Sequence, residues 1–198
     1  APVVDDAIYQ RIMDEVIHPT VRGMAKEGNS YTGFLYAGLM IMADGTPKVI
    51  EYNCRFGDPE TQPIMLRMQS DLVEHCLAAI NGQLDSQHTT WDSRPAVGIV
   101  LAAGGYPNAY NKADAISGLP ELGSNISGVS TSEKIFHAGT QQTGVGICTN
   151  GGRVLCATAM GDTVLDAQQE AYKLASSVSW EGMFFRADIA WRAIQREQ

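Results

Sequence analysis

The alternation of polar and apolar residues in segment 49–62 constrains the fold more than any other feature of this chain. The segment reads V-I-E-Y-N-C-R-F-G-D-P-E-T-Q, and the period of two in its first half predicts a β-strand with two different faces. The pattern breaks at Gly57, where the Asp58-Pro59-Glu60 turn begins. The polar face would carry Val49, Glu51, Asn53 and Arg55, and the packed apolar face would carry Ile50, Tyr52, Cys54 and Phe56.

The polar face has the donor groups of a site for a divalent cation and a phosphate. Glu51 and Asn53 supply hard oxygen ligands, and Mg²⁺ usually takes one or two such protein ligands while phosphate and water complete its octahedron. Arg55 would lie about 6.6 Å beyond Asn53 on an extended strand. Its planar guanidinium suits a phosphoryl oxygen and the charge that develops during phosphoryl transfer. On its own an E-x-N-x-R pattern more often marks a solvated strand face, so the flanking residues decide between the two interpretations.

The composition is that of a packed globular protein, with 44% hydrophobic and 18% charged residues. The net charge is -8 and there is no run of basic residues, which argues against nucleic acid or an anionic membrane surface as a partner. The longest apolar run, residues 34–43, is too short to span a bilayer, and the first residues lack the pattern of a signal peptide. The chain opens at Ala1 without a Met, which we interpret as a processed or truncated product.

The cysteines are far apart in the sequence and form no C-x-x-C pair. They are Cys54, Cys76, Cys148 and Cys156. We therefore expect small buried thiols in a reducing, cytoplasmic compartment rather than a zinc site.

The first part of the chain begins with a helical pattern and continues into a hairpin. Residues 5–26 have helical spacing, and Pro19 is expected to kink or divide this helix before Gly28 and Asn29 end it. Residues 31–42 predict a strand that is apolar on both sides and therefore central in its sheet. A hairpin turn at Asp44-Gly45 would lead into a returning strand, predicted over 47–54 and followed by a loop over 55–62.

A second helix is predicted over residues 70–81, with Gly82 as its stop. Its inward side chains would be Leu72, Val73, Cys76, Leu77 and Ile80. The polar, non-periodic segment 83–94 then predicts a domain boundary, which divides the chain into domains at residues 1–93 and 94–198.

The second domain is predicted to mix strands with a helix. Strands are expected at 96–103, 134–138, 143–149 and 153–160, a helix at 164–178, and a Gly-, Asn- and Ser-rich stretch up to Thr131. The fold class is therefore α+β, with antiparallel hairpins in both domains.

The octapeptide R-F-G-D-P-E-T-Q at residues 55–62 closely resembles the signature of the glycinamide ribonucleotide synthetase family, the phosphoribosylamine–glycine ligases. The chain resembles the C-terminal half of bacterial members over essentially its whole length. The similar segments are N-S-Y-T-G-F-L-Y-A-G-L-M-I at 29–41, P-I-M-L-R-M at 63–68, G-G-Y-P at 104–107, F-H-A-G-T at 136–140 and N-G-G-R-V-L at 150–155.

The resemblance implies the C-terminal part of an ATP-grasp domain, an antiparallel sheet with helices, followed by a small mixed α/β C-terminal domain. It implies the joining of glycine to 5-phosphoribosylamine, with ATP and Mg²⁺ or Mn²⁺, through a glycyl phosphate in purine biosynthesis. Glu51 and Asn53 correspond to the family's metal ligands. Arg55 corresponds to a catalytic residue that also binds the ATP phosphate being transferred.

Further expectations concern the rest of the enzyme. The family's glycine-rich phosphate loop has no match here, so the N-terminal half of the same enzyme is the implied partner, and this chain alone is expected to be inactive. The intact enzyme is expected to be a monomer.

Asp58 and Glu60 are candidate catalytic residues within the signature. The resemblance implies that they receive the ammonium group of glycine or orient Arg55. Asp58 before Pro59 is equally consistent with a plain turn or a helix cap.

The chain departs from the family pattern at two places. Many ATP-grasp enzymes carry another acidic metal ligand on the strand before Glu-x-Asn, whereas residues 38–41 read G-L-M-I. The family's Arg-x-Asp-Ile-Gly reads R-A-D-I-A at 186–190, and Ala for Gly is mild unless Ala190 needs a positive φ.

Two other functions stay open at this point. One is a different ATP-grasp enzyme, such as a carboxylase that uses bicarbonate, against which the D-P-E-T-Q continuation argues. The other is a separate non-catalytic chain that docks to a partner carrying the missing lobe. Two smaller features favour ordinary structural explanations: His137 as a hydrogen-bonded strand-end residue, and the segment 104–107 as a tight turn rather than a substrate contact.

Overall fold

The computed structural model describes residues 3–120 and 132–198, so much of the predicted Gly-, Asn- and Ser-rich stretch lies outside the described residues. The chain forms two compact units. The first comprises Ala1–Asp58 and Ser70–Thr89, and the second comprises Pro59–Gln69 and Thr90–Gln198. The domain boundary proposed between residues 93 and 94 stays a prediction.

The first unit begins with a helical segment in three parts, which are α1 (Asp6–Ile12), a π-helical turn (Met13–Ile17) and α2 (His18–Lys26). The predicted interruption at Pro19 is confirmed. Proline has no N–H and its ring clashes with the carbonyl four residues earlier. The ladder therefore widens just before it, and the His18 N–H bonds to the Met13 carbonyl, five residues back.

Both ends of this helical segment have local caps. The Asp5 carboxylate accepts a hydrogen bond of 2.8 Å from the Ile8 N–H at the start. At the end, Gly28 has φ +80°, and the Asn29 N–H bonds to the Met24 carbonyl at 2.9 Å. This is the Schellman geometry, which confirms Gly28 and Asn29 as the predicted end.

The hairpin of the first unit consists of β1 (Tyr36–Ile41) and β2 (Pro47–Asn53), which pair antiparallel. The predicted turn is confirmed, because Gly45 has φ +77° and its N–H bonds to the Met42 carbonyl at 2.9 Å. The prediction that the first strand spans 31–42 and is central was wrong. The strand is shorter and belongs to a two-stranded sheet among the described residues, since apolar character on both faces does not specify how many neighbours a strand has.

Helix α4 (Leu72–Ile80) also belongs to the first unit. The Asp71 carboxylate caps its N-terminus, and Gly82 with φ +68° follows its end, which confirms the predicted stop. The predicted inward set was partly wrong: the exposed fractions of three of its members are 63% for Val73, 55% for Leu77 and 74% for Ile80. The helical period identifies an apolar stripe but not what covers it.

The second unit starts with α3 (Thr61–Arg67), a helix that the sequence analysis missed because its beginning was assigned to the loop 55–62. A short helix with Pro63 in its first turn gives little periodic signal. Its main packing partner is a three-stranded antiparallel sheet in the order β3–β7–β4. Those strands are β3 (Ala96–Ala102), β4 (Glu133–His137) and β7 (Arg153–Met160).

The core of the second unit lies between this sheet and α5 (Val164–Ala175). The helix presents alanines to the sheet, and Ala167, Ala171 and Ala175 are each fully buried. Alternate residues of β3 point to the other face, where a Cβ on Gly98 would lie 3.2 Å from the Pro63 ring of α3. The sheet is therefore covered by helices on both faces.

The strand predicted over 143–149 is instead part of a small hairpin of β5 (Thr140–Thr143) and β6 (Gly146–Thr149). Gly146, with φ +114°, lies next to the turn and allows it. Other predicted strands of this unit are found close to their predicted bounds, and the predicted helix 164–178 ends earlier, at Ala175.

The segment 104–107 is a tight turn packed against the protein's own backbone. A Cβ on Gly104 would lie 2.9 Å from the Gly182 carbonyl oxygen, and the Tyr106 N–H bonds to the Ala103 carbonyl at 3.1 Å. The exposed His137 shares a hydrogen bond of 3.0 Å with the Thr140 hydroxyl. These contacts favour the structural explanation for both features.

Cysteine burial differs along the chain. Cys148 and Cys156 are buried, Cys76 is half-buried and Cys54 is exposed, so the expectation of burial was wrong for Cys54. No helix among the described residues is long and apolar enough to cross a bilayer.

The last helix, α6 (Trp191–Glu197), begins at an alanine in the left-handed region: Ala190 has φ +66°. For an L-residue this conformation costs roughly 1–2 kcal/mol. Ala190→Gly should therefore stabilise the protein by about 0.5–1 kcal/mol after the entropy cost of glycine is subtracted. Thermal unfolding would measure it, with Ala193→Gly inside α6 as the control that should destabilise. A lower melting temperature for Ala190→Gly would contradict the assignment.

An ion pair in the second unit should make its stability depend on acid pH. Hydrogen bonds from Arg94 lower the pKa of Asp92 from 3.8 to about 2, and the two side chains are 2.8 Å apart. A depressed folded pKa gives stability that is full above the unfolded pKa and is lost as the pH falls from about 4 to about 2.

Arg94→Gln should raise the pKa of Asp92 toward its unfolded value and thereby reduce the loss of stability between pH 4 and pH 2. The measurement is the melting temperature between pH 2 and pH 5, with the exposed Arg196→Gln as a control that keeps the wild-type profile. The same profile for Arg94→Gln and wild type would show that the pair does not contribute.

Candidate functional site

A β-bulge in the hairpin sets which side chains share a face. Gly38 lies opposite Glu51, and the next residue, Leu39, lies opposite Val49, so Ile50 has no partner on β1. Residues opposite each other in an antiparallel pair point to the same face. Successive residues of β1 point to opposite faces, so Val49 and Glu51 lie on opposite faces.

We call the face that carries Glu51 the open face. It consists of Tyr36, Gly38 and Met40 on β1 and of Asn53, Glu51 and Lys48 on β2. The polar face predicted from the sequence is thus correct for Glu51 and Asn53, which share one face, and wrong for Val49, which lies on the other. The unpaired Ile50 is the physical reason for this difference, because one extra residue in a strand moves the residues beyond it to the opposite face.

The opposite face of the hairpin lies against the helical segment of the first unit. The Tyr52 hydroxyl and the Thr20 hydroxyl of α2 are 2.8 Å apart. Arg11 of α1 donates to the Asp44 carbonyl at 3.2 Å, beside the hairpin turn. The open face therefore points away from these helices.

The prediction that the strand's apolar face is packed was wrong in part. Exposed fractions are 66% for Ile50 and 42% for Tyr52, and Cys54 is exposed as well. The bulge explains Ile50, because a residue without a cross-strand partner leaves the regular alternation.

A glycine makes room for the Glu51 side chain on the open face. A Cβ added to Gly38 would lie 3.1 Å from the Glu51 Cγ and 3.6 Å from the Tyr36 ring. Glu51 therefore lies over Gly38 beside Tyr36. A side chain on residue 38 would compete with Glu51 for this space.

Arg55 stays close to the open face after the strand ends. Its Nη2 is 3.5 Å from the Asn53 Oδ1, and its Nη1 donates to the Phe56 carbonyl at 2.8 Å. The exposed guanidinium thus lies beside the amide oxygen, with donors left for an anion. The Asn53 amide and the Arg55 guanidinium are therefore in contact at this end of the hairpin, and Glu51 lies on the same face as Asn53.

The segment before β1 fixes the backbone around Arg55. The Tyr31 hydroxyl shares its proton between the Phe34 carbonyl at 3.2 Å and the Cys54 carbonyl at 3.3 Å, and the rings of Phe34 and Phe56 are 4.2 Å apart. Partial removal from water, with a further contribution from Cys54, raises the pKa of the Tyr31 phenol above its usual value. Tyr31 therefore acts as a neutral hydrogen-bond donor.

Asp58 and Glu60 are exposed and belong to different compact units, Asp58 to the first and Glu60 to the second. The N-cap position of α3 is Glu60, whose side chain makes no capping hydrogen bond. The turn and helix-cap explanations for Asp58 both stay predictions, as do the proposed catalytic roles of Asp58 and Glu60.

The possible metal ligands of the open face are one carboxylate and one amide oxygen, and not a cluster of acidic or thiol side chains. Residues 3–120 and 132–198 contain no group of three or more His, Cys, Asp or Glu side chains able to hold a metal ion. Glu51 with Asn53 would supply two oxygen ligands, which fits a Mg²⁺ that takes its other ligands from phosphate and water.

Sequence analysis missed Lys48 and Met40 as members of the open face. The period of two places Lys48 with Ile50 and Tyr52, on the face opposite Glu51. No residue in the strand signals the bulge, although Gly38 in an otherwise apolar strand is a typical sign of a close approach by another side chain.

Comparisons with known proteins identify the class of this fold and then the family. Residues 1–61 match the family model described as phosphoribosylglycinamide synthetase, ATP-grasp (A) domain, so the open face belongs to an ATP-grasp domain. Residues 96–192 match the model described as phosphoribosylglycinamide synthetase, C domain. The chain belongs to the phosphoribosylglycinamide synthetase family, which confirms the resemblance and the fold class predicted from the sequence.

Named members of this family match the chain over its full length. The chain is 68% identical over 198 residues to the phosphoribosylamine–glycine ligase of Vibrio vulnificus strain YJ016 and covers 45% of it. It is 60% identical to that of Haemophilus influenzae, covering 44% of it. The crystal structure of the Thermotoga maritima ligase matches 95% of this chain and 44% of its own, with 37% identity and a TM-score of 0.78. The chain thus spans a little less than half the length of these relatives.

Proposed function

We propose that this chain is the C-terminal half of a phosphoribosylamine–glycine ligase. The full-length enzyme would join glycine to 5-phosphoribosylamine and convert ATP to ADP and phosphate, in de novo purine biosynthesis. The observation that carries the proposal is the open face, where Glu51 and Asn53 share one side of β2 and Arg55 reaches the Asn53 amide. The named relatives, which match over the whole chain, support the choice of substrates.

The open face suggests a division of labour for the first chemical step. Glu51 and Asn53 would hold Mg²⁺ or Mn²⁺, which when bound would screen the charge of the ATP phosphates. Arg55 would bind the γ-phosphoryl group while the glycine carboxylate attacks it and ADP leaves. The fixed guanidinium then neutralises charge on the acyl phosphate.

In the second step the ribosylamine nitrogen attacks the acyl carbon, phosphate leaves and the nitrogen loses a proton. Asp58 and Glu60 are exposed carboxylates next to Arg55 in the sequence, suited to receive the ammonium group of glycine or to orient Arg55. We assign them these roles as part of the proposal.

The proposal extends to the rest of the protein. The ATP-grasp portion would comprise residues 1–93 and the C-terminal domain residues 94–198, with an N-terminal half of the same enzyme completing the ATP and ribosylamine sites. We propose a cytoplasmic monomer, in keeping with four free cysteines.

The test is an assay of phosphate release by the full-length enzyme with glycine, 5-phosphoribosylamine and ATP. Glu51→Gln and Asn53→Ala should lower kcat/KM by about 10²–10³ and change the melting temperature little, because Glu51 is exposed and Asn53 is only half-buried. Glu27→Gln, at the exposed end of α2, is the matched control with wild-type activity.

Three outcomes would contradict the proposal. Wild-type activity of both site variants at saturating Mg²⁺ would exclude the metal role. Activity with bicarbonate but not glycine would favour the carboxylase. Ligation of glycine by this chain alone, or a gene that encodes it as a separate chain, would exclude its role as an incomplete half.

Gly38 provides a second test, because any side chain there competes with Glu51 for space. Gly38→Ala should lower kcat/KM about tenfold or more, as the Cβ would stand 3.1 Å from the Glu51 Cγ and displace the carboxylate. Gly23→Ala is the control, since a Cβ on Gly23 meets nothing within 4 Å. Equal activity of Gly38→Ala and Gly23→Ala would show that the Glu51 position is not critical.

A further inference from the structure

The bulge at Ile50 has a second effect, because it also moves a lysine onto the open face. Lys48 lies opposite Met40, two residues along β1 from the Gly38 that faces Glu51. In a regular strand Lys48 and Glu51, three residues apart, would point to opposite sides. The extra residue places the ammonium group of Lys48 on the same side as Glu51 and Asn53.

Lys48 is exposed, and its ammonium group makes no hydrogen bond or ion pair with the described residues. The other arginines and lysines before residue 48 lie on α1 and α2, the helices against the opposite face of the hairpin. Arg11 of α1 pairs there with Glu15 at 2.8 Å. Lys48 and Arg55 are thus the cations of the hairpin, one on each side of Glu51 along β2.

The spacing of these groups follows the strand. Arg55 and Asn53 lie at the end of β2, Glu51 comes next, and the Met40–Lys48 pair lies about 6.6 Å beyond the Gly38–Glu51 pair. If the γ-phosphate meets Arg55 and the metal meets Glu51, a nucleotide that follows β2 toward the hairpin turn would reach Met40 and Lys48. Met40 is 55% exposed, an apolar side chain suited to the flat face of a base.

We propose that Lys48 is a nucleotide-binding residue of the full-length enzyme that donates a hydrogen bond to a ring nitrogen of the base. The proposal rests on the proposed function, since it takes the nucleotide position from Glu51 and Arg55. An ammonium group on a flexible four-carbon stem reaches well beyond its own strand position. The lysine would act on binding of the nucleotide and not on the chemical step.

The experiment compares Lys48→Met with wild type in the full-length enzyme. The KM for ATP should rise about tenfold or more while kcat changes less than threefold, because a charged donor is lost from the bound base. Inorganic tripolyphosphate with Mg²⁺, measured as a competitive inhibitor of ATP, should keep its inhibition constant because it has no base. Lys48→Arg should restore part of the ATP affinity, and Lys26→Met, at the end of α2, is the control without effect.

Two results would overturn the proposal. One is a KM for ATP within twofold of wild type in Lys48→Met. The other is an equal loss of affinity for ATP and tripolyphosphate, which would place the ammonium group at the phosphates. Neither result affects the proposed function, which depends on the Glu51 and Asn53 variants and on wild-type ligation of glycine. If Lys48→Met unfolds, Lys48→Gln at matched melting temperature is used in its place.

Discussion

The pairing of β1 with β2, with one residue skipped at Ile50, is the constraint on which the candidate site depends. The pairs near the turn, such as Leu39 with Val49, would place Glu51 opposite Ala37 if the ladder continued without the bulge. Glu51 would then point toward the helices that contact Tyr52. The skipped residue instead places Glu51 over Gly38, on the side that the helices leave open. A single unpaired residue thus decides on which face of the hairpin the carboxylate lies.

The end of the hairpin is held by contacts with the segment before β1. Tyr31 donates to the Cys54 carbonyl, and Phe34 packs on Phe56, so the backbone on both sides of Arg55 is fixed from the segment before β1. A guanidinium gains most in binding when little rotational freedom remains to be lost.

Features that depend on neighbouring residues alone could be predicted from the sequence. The interruption at Pro19, the helix ends at Gly28 and Gly82 and the turn at Gly45 all follow from the conformational limits of proline and glycine. Features that depend on distant partners could not. The central position expected for the first strand and the inward orientation of Val73, Leu77 and Ile80 were inferred from hydrophobicity, which gives the apolar face but not the group that covers it. Ala190 illustrates both limits, since its departure from the family pattern was visible but its positive φ was not.

The sequence by itself determined the family, through the octapeptide at residues 55–62, and the chemical types of the candidate site: a carboxylate, an amide and a guanidinium. The tertiary structure alone decided their arrangement. It separated Val49 from Glu51, added Lys48 and Met40 to the open face, and assigned Asp58 and Glu60 to different compact units. The physical reason is that a residue's chemistry is local, whereas the face it occupies depends on hydrogen bonds to another strand, and one extra residue in that ladder reverses the face without changing the composition.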